Sequence, residues 1–394
     1  MGTAIARETV TRARDSNRER LLGRLIEAGR IPTNVAVTSR FDLDGRLELS
    51  LSEVTGALGD SVTVLPIVVA LGTLTPVSIA HVFLFFGLFQ IVWGVRYGLP
   101  LSVEPMKALA GLAIAGALTY GELVAAGLLA GTVLVAVGAT GTLGYVERYV
   151  GQPVIRGVQL AVALLLVEAG LDLSLGRPSV AVAGGAIAVA IAAVGYWRFA
   201  GLAVLGVGTL WTLVVAPLPA LSLPTLTVFP TGDPALTVGA VEGTLAQLAM
   251  TVGNAAVATS LLLGDFFDAE VSADRLCRSM GTMTLAAVPF GGFPMCHGSG
   301  GLAGKYAFGA RTGGANVVLG VLYLGAALVA GLWLGFPLAM LGALLFVVAA
   351  QLGRVAADTD HPVLVGAIGV LAVVTNVGVA FLGGLVYWLV AQRA

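Results

Sequence analysis

The chain has 394 residues, of which 57% are hydrophobic and only 11% are charged, and its formal net charge is −1. A soluble globular domain carries about 25% charged residues, so this composition excludes a protein whose whole surface faces water. No basic patch stands out in the sequence, which argues against a nucleic-acid partner, and the apolar residues must face lipid or one another.

The first 48 residues differ from the rest of the chain. They hold nine Arg, from Arg7 to Arg46, and seven acidic residues. They lack the apolar run that forms the centre of a signal peptide. We therefore interpret residues 1–48 as a polar cytoplasmic region, whose arginines could contact anionic membrane lipid.

Fourteen apolar segments follow, and a membrane-spanning helix needs about 20 residues. Two of them, at about 105–118 and 295–309, are short and interrupted. The twelve longer segments lie at about 54–73, 76–95, 120–142, 153–171, 178–195, 199–217, 243–263, 275–290, 315–334, 336–352, 362–375 and 377–392. The sequence thus predicts an all-α, polytopic membrane protein.

The positions of the basic residues predict the orientation of these segments. With fourteen crossings and an inside N-terminus, the outside loops contain only Arg177, and the loop at 218–242 has neither Lys nor Arg. The inside loops contain Arg96, Arg148, Arg156, Arg198, Arg275, Arg278, Lys305, Arg311, Arg354 and Arg393. This positive-inside pattern predicts a cell (inner) membrane protein with both termini in the cytoplasm and 218–242 as an extracytoplasmic loop.

The two short segments share a sequence pattern. Pro105-Met106 and Pro294-Met295 each precede a run rich in small residues, and they lie almost half the chain apart. They are the third and the tenth segments, so residues 49–217 and 243–394 read as two seven-segment repeats of opposite orientation. Interrupted segments in matching positions indicate a transporter binding site near the middle of the bilayer. The alternative is a pair of proline-kinked packing helices.

Proline is tolerated at the first position of a helix, and the residue before it is pushed into an extended conformation. We therefore expect short strands at Val103-Glu104 and Gly292-Phe293, paired with each other and each followed by a half-helix. Half-helix N-termini carry free N–H groups and a partial positive charge. Two of them facing one another would form an anion site from the backbone.

Lys107, Asp60 and Glu168 fall in or beside apolar segments, where charged residues are usually functional. Glu168 lies near a segment end, which favours an acid at the membrane interface over an ion site. Lys107 is one of two lysines in the chain and lies in the first turn of the first half-helix. It could pair with Glu104 or Asp60, attract an anion, or extend its ammonium group to the membrane surface. Asp60 in the first segment is a candidate for a proton relay or an ion site.

The eighth segment carries three polar residues at helical spacing. Gln247, Thr251 and Asn254 fall on one face of a helix. Their side chains could bind substrate oxygens, or they could hydrogen-bond neighbouring helices, which is a common role of such residues in membranes.

The Cys296-His297 pair has the side chains of a metal site or of a catalytic nucleophile. His81 and His361 lie in distant segments, so four zinc ligands do not assemble from this sequence. Adjacent helical residues point about 100° apart, which argues against a Cys–His catalytic pair. His297 could instead donate to a substrate or titrate as a coupling group, and no cofactor is expected.

Four stretches carry a resemblance to a known family. The run from Phe293 to Gly314, which reads FPMCHGSGGLAGKYAFGARTGG, is the most specific. The stretches at 53–60, 104–108 and 247–260 add to it. From about residue 48 onward the chain resembles the molybdate transporter family, which is related to the sulfate permeases.

The resemblance implies fourteen segments in two inverted repeats, arranged as core and gate domains, with the substrate between half-helices 3 and 10. It implies uptake of molybdate, with tungstate or sulfate as related substrates, and leaves open a coupling proton or sodium ion and a homodimer. The candidate substrate-binding residues are Asp60, Glu104, Pro105, Met106, Lys107, Gln247, Thr251, Asn254, Met295, Cys296, His297 and Gly298.

The sequence departs from the family pattern at Glu104, where Gln is expected. A carboxylate there opposes anion binding unless it is protonated or paired with Lys107. The chain also ends soon after the last segment, without the cytoplasmic STAS domain of larger sulfate permeases. Three alternatives stay open: a sulfate transporter, a non-transporting membrane anion receptor, and a membrane-embedded enzyme using His297, Cys296 or Asp60.

Overall fold

A computed structural model describes residues 42–43, 47–217 and 219–392. The predicted N-terminal region 1–48 therefore lies outside the described residues, apart from two short strands, β1 (Asp42–Leu43) and β2 (Leu47–Glu48), which pair antiparallel. Two further strands, β3 (Glu104–Pro105) and β4 (Met295–Cys296), form a second sheet. Everything else of regular structure in these ranges is helical.

The helices fall into two groups on either side of a long connection at 216–237. The first group is α1 (Leu51–Leu74), α2 (Ile79–Tyr97), α3 (Lys107–Ile114), α4 (Tyr120–Thr140), α5 (Leu143–Val150), α6 (Gln152–Leu175), α7 (Pro178–Ile191) and α8 (Ala200–Val215). The second group is α9 (Val238–Met250), α10 (Ala258–Phe267), α11 (Ala273–Ala287), α12 (Ser299–Ala307), α13 (Gly314–Leu328), α14 (Leu338–Ala357), α15 (Pro362–Val374) and α16 (Val377–Ala391).

Local sequence signals explain where several helices begin and end. The Thr119 hydroxyl and the Glu122 carboxylate form a reciprocal capping box at the start of α4, which satisfies amides that lack helical partners. Helix α2 begins after Ser78, whose hydroxyl accepts from the His81 amide, and ends at Gly98 in the left-handed conformation (φ 66°). These are common start and stop signals of helices.

Each of the fourteen predicted segments contains a helix. Seven helical stretches in the described part of the chain are long and apolar enough to cross a membrane, and the chain is a multi-pass membrane protein. These stretches are Leu51–Leu74, Ile79–Tyr97, Tyr120–Thr140, Gln152–Leu175, Pro178–Val215, Val238–Phe267 and Leu338–Ala357. The remaining predicted segments are shorter helices, so fourteen crossings stay a prediction.

The stretch Pro178–Val215 shows the kind of surface that lipid requires. Of its most apolar 18 consecutive residues, only 6% are buried inside the protein. Val214 is 85% exposed. Its helices α7 and α8 are separated at Gly195, which has φ 90° and interrupts the helical backbone. The break agrees with the two predicted segments at 178–195 and 199–217.

Two pairs of long helices pack in a related way. Helix α2 packs along α13, where the backbones of Gly87 and Gly320 meet, and α4 packs along α11, where those of Gly131 and Gly281 meet. A Cβ atom on any of these glycines would collide with the facing helix. The pairing of the second with the eleventh segment matches that of the ninth with the fourth, as expected for two seven-segment repeats, and the opposite orientation of the repeats stays a prediction.

Two features were not predicted. Helix α5 is an additional short helix in a region predicted as an inside loop. Helix α9 continues into α10 through a π-helical segment, Thr251–Val257, whose hydrogen bonds run one residue further than in an α-helix. Such π segments often lie at functional sites.

Candidate anion-binding site

The two interrupted segments meet through their strands. β3 and β4 are antiparallel, with Glu104 opposite Cys296 and Pro105 opposite Met295. Beyond the strands, the Met106 amide donates to the Pro294 carbonyl at 2.9 Å. The predicted pairing of the two segments is confirmed.

The position of the prolines corrects one prediction. Helices α3 and α12 begin at Lys107 and Ser299, not at the prolines, and the second strand follows Pro294 instead of preceding it. The antiparallel register explains this difference, because alternate residue pairs exchange no backbone hydrogen bonds. Pro105 occupies such a position, and Pro294 contributes only its carbonyl, so neither needs an N–H group.

The start of α3 is capped by a side chain from the eighth segment. The Oε1 atom of Gln247 accepts from the amides of Ala108 and Leu109 at 2.9 and 3.3 Å. These amides belong to the first turn, where helix geometry supplies no acceptor. Gln247 was predicted to face the substrate, and its observed contact is with the half-helix N-terminus.

The start of α12 is capped by a carboxylate from the other half-segment. Glu104 is completely buried, and its Oε1 atom accepts from the Gly301 amide at 2.8 Å. Its Oε2 atom forms an ion pair with Lys107, whose side chain is 22% exposed. Of the two partners proposed for Lys107, Glu104 is the one the structure brings to it.

A second buried charge cluster lies beside the first. The Lys305 ammonium is 3.1 Å from the Asp60 carboxylate, and both side chains have no exposed surface. Lys305 also donates to Gln90 at 3.0 Å and to Asn316 at 2.8 Å. Gln90 donates in turn to Asp60 at 2.9 Å. The four side chains connect α1, α2, α12 and α13.

The position of Lys305 corrects one prediction. The pattern of basic residues assigns Lys305 to an inside loop, whereas it lies within α12 and is fully buried. One signal in the sequence could have found it, because it is one of only two lysines and lies four residues after Gly301 in a helix of small residues. Four residues is the spacing that places two side chains on one helix face.

Ser102 links the two charge clusters. Its hydroxyl lies 2.6 Å from an oxygen of Asp60 and 3.1 Å from an oxygen of Glu104. All three side chains are buried. A single hydroxyl proton can serve only one acceptor at a time, so the shorter contact favours Asp60.

The remaining polar residues of the eighth segment lie in or beside its π segment. Gln247 donates to the Thr251 hydroxyl at 2.9 Å, which confirms that these two share a helix face. Asn254 is half-buried, and its side chain makes no hydrogen bond to another described residue. Its role as a substrate ligand stays a prediction.

His297 and Cys296 make their contacts within the protein. The Nδ1 atom of His297 donates to the Ser102 carbonyl at 2.8 Å, and its Nε2 atom lies 2.7 Å from the Ser279 hydroxyl. The buried Cys296 thiol lies 3.8 Å from the Pro105 carbonyl. Among the residues described, three or more His, Cys, Asp or Glu side chains do not come together as metal ligands.

Two glycines leave room for the Glu104 carboxylate. A Cβ atom on Gly298 or Gly301 would collide with Glu104 oxygens. Gly300 and Ser299 lie between them in sequence, with Gly300 exposed and Ser299 half-buried.

Met295, two residues before His297, exchanges both of its backbone hydrogen bonds with the Thr284 hydroxyl at 3.1 Å, which fixes β4 against α11.

The arrangement supplies donors for an anion. The amides of Ser299 and Gly300 are the first two of α12, so they have no intrahelical acceptor, and within the described ranges no other residue accepts from them. The Lys107 ammonium lies across the Glu104 carboxylate from this helix end. An oxyanion at this point would meet a positive charge, free amides and the positive end of a helix dipole.

Comparisons with known sequences identify the family. The sequence model described as "Molybdate transporter of MFS superfamily" matches residues 52–166 and 239–352, one stretch in each half of the chain. The chain is 30% identical over 370 residues to Molybdate transporter 1 of Arabidopsis thaliana, covering 79% of this chain and 80% of that protein. It is 29% identical over 373 residues to Molybdate transporter 2 of the same plant, covering 78% and 79%.

Solved structures share the fold. The transmembrane domain of a cyanobacterium bicarbonate transporter, BicA, superposes with a TM-score of 0.63 at 17% identity, covering 89% of this chain and 100% of that one. The structure of SLC26A9 superposes with a TM-score of 0.65 at 12% identity, covering 92% of this chain and 72% of that one. Because the family model matches more than half of the chain, and each matched stretch contains one of the two paired half-segments, the chain belongs to the molybdate transporter family.

Proposed function

We propose that this protein is a secondary transporter that imports molybdate or a related tetrahedral oxyanion. One observation carries the proposal: the strands before α3 and α12 pair with each other, so that Lys107 and the N-terminus of α12 lie on either side of one buried carboxylate. We place the substrate at these donors.

The chemistry of the donors fits a multiply charged oxyanion. A tetrahedral oxyanion presents several acceptor oxygens, which can reach the ammonium of Lys107, the free amides of α12 and the Ser299 hydroxyl at once. A helix N-terminus contributes about half a positive charge. Hydrogen bonds between ionised groups and such donors are about twice as strong as neutral ones.

Alternating access is the proposed mechanism. The half-helices α3 and α12 would move with the core helices against a gate that includes α6, α14 and α15, which pack against one another. The driving gradient would act through the conformational change, with no covalent step on the substrate.

Uptake of labelled molybdate by the purified full chain in liposomes tests the proposal. Saturable uptake, reduced at least tenfold by Lys107→Gln and unchanged by Glu168→Gln, is the expected result. Glu168 is a matched control because it is exposed on α6. Molybdate binding without uptake would favour a receptor, and sulfate uptake that excess molybdate does not inhibit would assign another substrate.

Because Lys107→Gln leaves Glu104 unpaired, the double variant Lys107→Gln/Glu104→Gln separates binding from folding. It removes both charges of the pair, so the fold is expected to survive. Uptake by the double variant should stay low if Lys107 contributes to substrate binding. Full uptake by a well-folded double variant would remove Lys107 from the site.

A further inference from the structure

We propose that Glu104 is an internal anion that competes with the transported oxyanion for the N-terminus of α12, and that one proton taken up by Glu104 accompanies each oxyanion bound. This inference rests on the proposed function and adds the identity of the coupled ion. It follows from the contacts of Glu104, the space around it and the charges that face it.

The contacts of Glu104 are those that a bound oxyanion needs. One carboxylate oxygen accepts from the Gly301 amide at 2.8 Å, and the other pairs with Lys107. Apart from Lys107, that second oxygen has no partner among the residues in the described ranges. The carboxylate therefore occupies donors that the substrate would use, and an oxyanion binds them only when Glu104 releases them.

The backbone around the carboxylate leaves space for it. Both Gly298 and Gly301 face Glu104, and a Cβ atom at either position would collide with its oxygens. At Gly301 the same atom would also meet Asp60 and Ser102. The first turn of α12 thus accommodates an anionic group against its amides, and in this conformation that group is Glu104.

The charges near Glu104 balance without a substrate. Asp60 and Glu104 are opposed by Lys107 and Lys305 in two ion pairs. A dianion added to this balanced cluster would leave two uncompensated negative charges in a buried site, where repulsion between like charges is strong. A proton on Glu104 removes one of them and frees Lys107 for the substrate.

Other groups face Glu104 from the elements packed around it. They are Asp60 from α1, Lys107 from α3, Cys296 from β4, His297 directly after β4, Lys305 from α12 and Tyr323 from α13. Among the carboxylates, Asp60 keeps three side-chain donors, from Ser102, Gln90 and Lys305, none of which the substrate needs.

Glu104 differs from Asp60 because the substrate would take the hydrogen-bond donors that contact Glu104. If the oxyanion takes Lys107 and the Gly301 amide in addition to the free amides of Ser299 and Gly300, Glu104 retains only the longer contact with Ser102, at 3.1 Å. A buried carboxylate without donors is costly unless it is protonated. The proton would go to Glu104, while Lys107 keeps its own proton and balances the substrate.

Binding of molybdate to the detergent-purified full chain, from mildly acidic to mildly alkaline pH, tests the inference. We expect the affinity of the wild-type protein to fall about tenfold for each rise of one pH unit, because one proton is bound with the anion. A weakly buffered solution with a pH dye should show about one proton taken up per molybdate bound. Wild-type binding without proton uptake would overturn the proposal, whatever the variants do.

The variant Glu104→Gln removes the charge and keeps the size of the side chain. Its molybdate affinity should be independent of pH, and tighter than wild type at alkaline pH. In liposomes, a proton gradient should accelerate uptake by the wild type and by Glu168→Gln, but not by Glu104→Gln. Exchange of internal for external molybdate, which moves no net protons, should proceed without a gradient in the wild type and in Glu168→Gln.

The outcomes separate this inference from the proposed function. If the wild type neither binds nor transports molybdate, the proposed function fails. If it does both and Glu104→Gln retains the pH dependence of the wild type, only the role of Glu104 is wrong. A thermal unfolding profile for each variant shows that the comparison is made between folded proteins.

Discussion

The ammonium of Lys305 lies 3.1 Å from the carboxylate of Asp60, and both side chains are completely buried. The ion pair joins α1 to α12, and Gln90 and Asn316 complete the hydrogen bonding around Lys305. Removing one member of such a pair leaves a charge with no compensation, which costs about 3–5 kcal/mol. The first half of the chain thereby fixes the second half-helix.

Lys305→Met should lower the free energy of unfolding by about 3–5 kcal/mol, because Asp60 is left as an unpaired buried anion. The double variant Asp60→Asn/Lys305→Met should recover most of that loss, since it buries no charge. Thermal unfolding of the purified proteins in detergent measures both. A double variant as unstable as the single one would show that packing, and not charge, explains the loss.

Gln247→Leu should destabilise the start of α3 by about 1–3 kcal/mol, because the amides of Ala108 and Leu109 lose their acceptor. Gln247→Glu is the matched control, since it keeps an oxygen at the same position while losing the donor to Thr251. Hydrogen exchange at Ala108 and Leu109 reports the effect directly. Equal exchange in Gln247→Leu and the wild type would mean that another group caps this turn.

Gly301→Ala should cost about 1–3 kcal/mol of stability through overpacking and should weaken molybdate binding, because the added Cβ atom collides with Glu104, Asp60 and Ser102. Gly325→Ala in α13 is the control, because a Cβ atom there meets no other atom within 4 Å. Unfolding temperature and molybdate affinity are both measured. Loss of affinity in both variants would point to a general effect of alanine.

Glu53→Ala should loosen the junction of α1 with α13. The Glu53 carboxylate accepts from the amides of Arg311 and Thr312 at 2.8 and 3.0 Å, and from that of Ala315 at 3.1 Å. Loss of the acceptor for these amides should lower the free energy of unfolding by about 1–3 kcal/mol. Glu168→Ala should leave that free energy nearly unchanged. Proteolysis of the 308–313 connection reports the loosening, and no change in cleavage rate would contradict it.

Much of the architecture was predictable because hydropathy and proline are local signals. The apolar segments gave the positions of the helices, since a bilayer requires long uninterrupted apolar runs. The pairing of the two interrupted segments followed from the rule that backbone polar groups at membrane depth must be satisfied by protein. Each apolar or interrupted segment is recognised from residues that are neighbours in the sequence.

The unpredicted features depend on partners distant in the sequence. Lys305 was placed in a loop because a charge in an apolar chain usually marks a boundary, whereas Asp60, Gln90 and Asn316 stabilise it inside. For Gln247 the sequence leaves open both a substrate contact and a hydrogen bond to a neighbouring helix, since nothing local shows that its side chain caps a helix in the other half. The starts of α3 and α12 were misplaced because a strand register, not proline, determines them.

The pairing of β3 with β4 also has a consequence for biosynthesis. When the ribosome has made the first half of the chain, Glu104 and the Met106 amide are already synthesised, yet their partners Gly301 and Pro294 do not exist. These polar groups therefore lack their folded-state partners until the second half of the chain, including α12, has been inserted. The pairing of the two half-segments is thus completed late during membrane insertion, and neither half of the chain can form it alone.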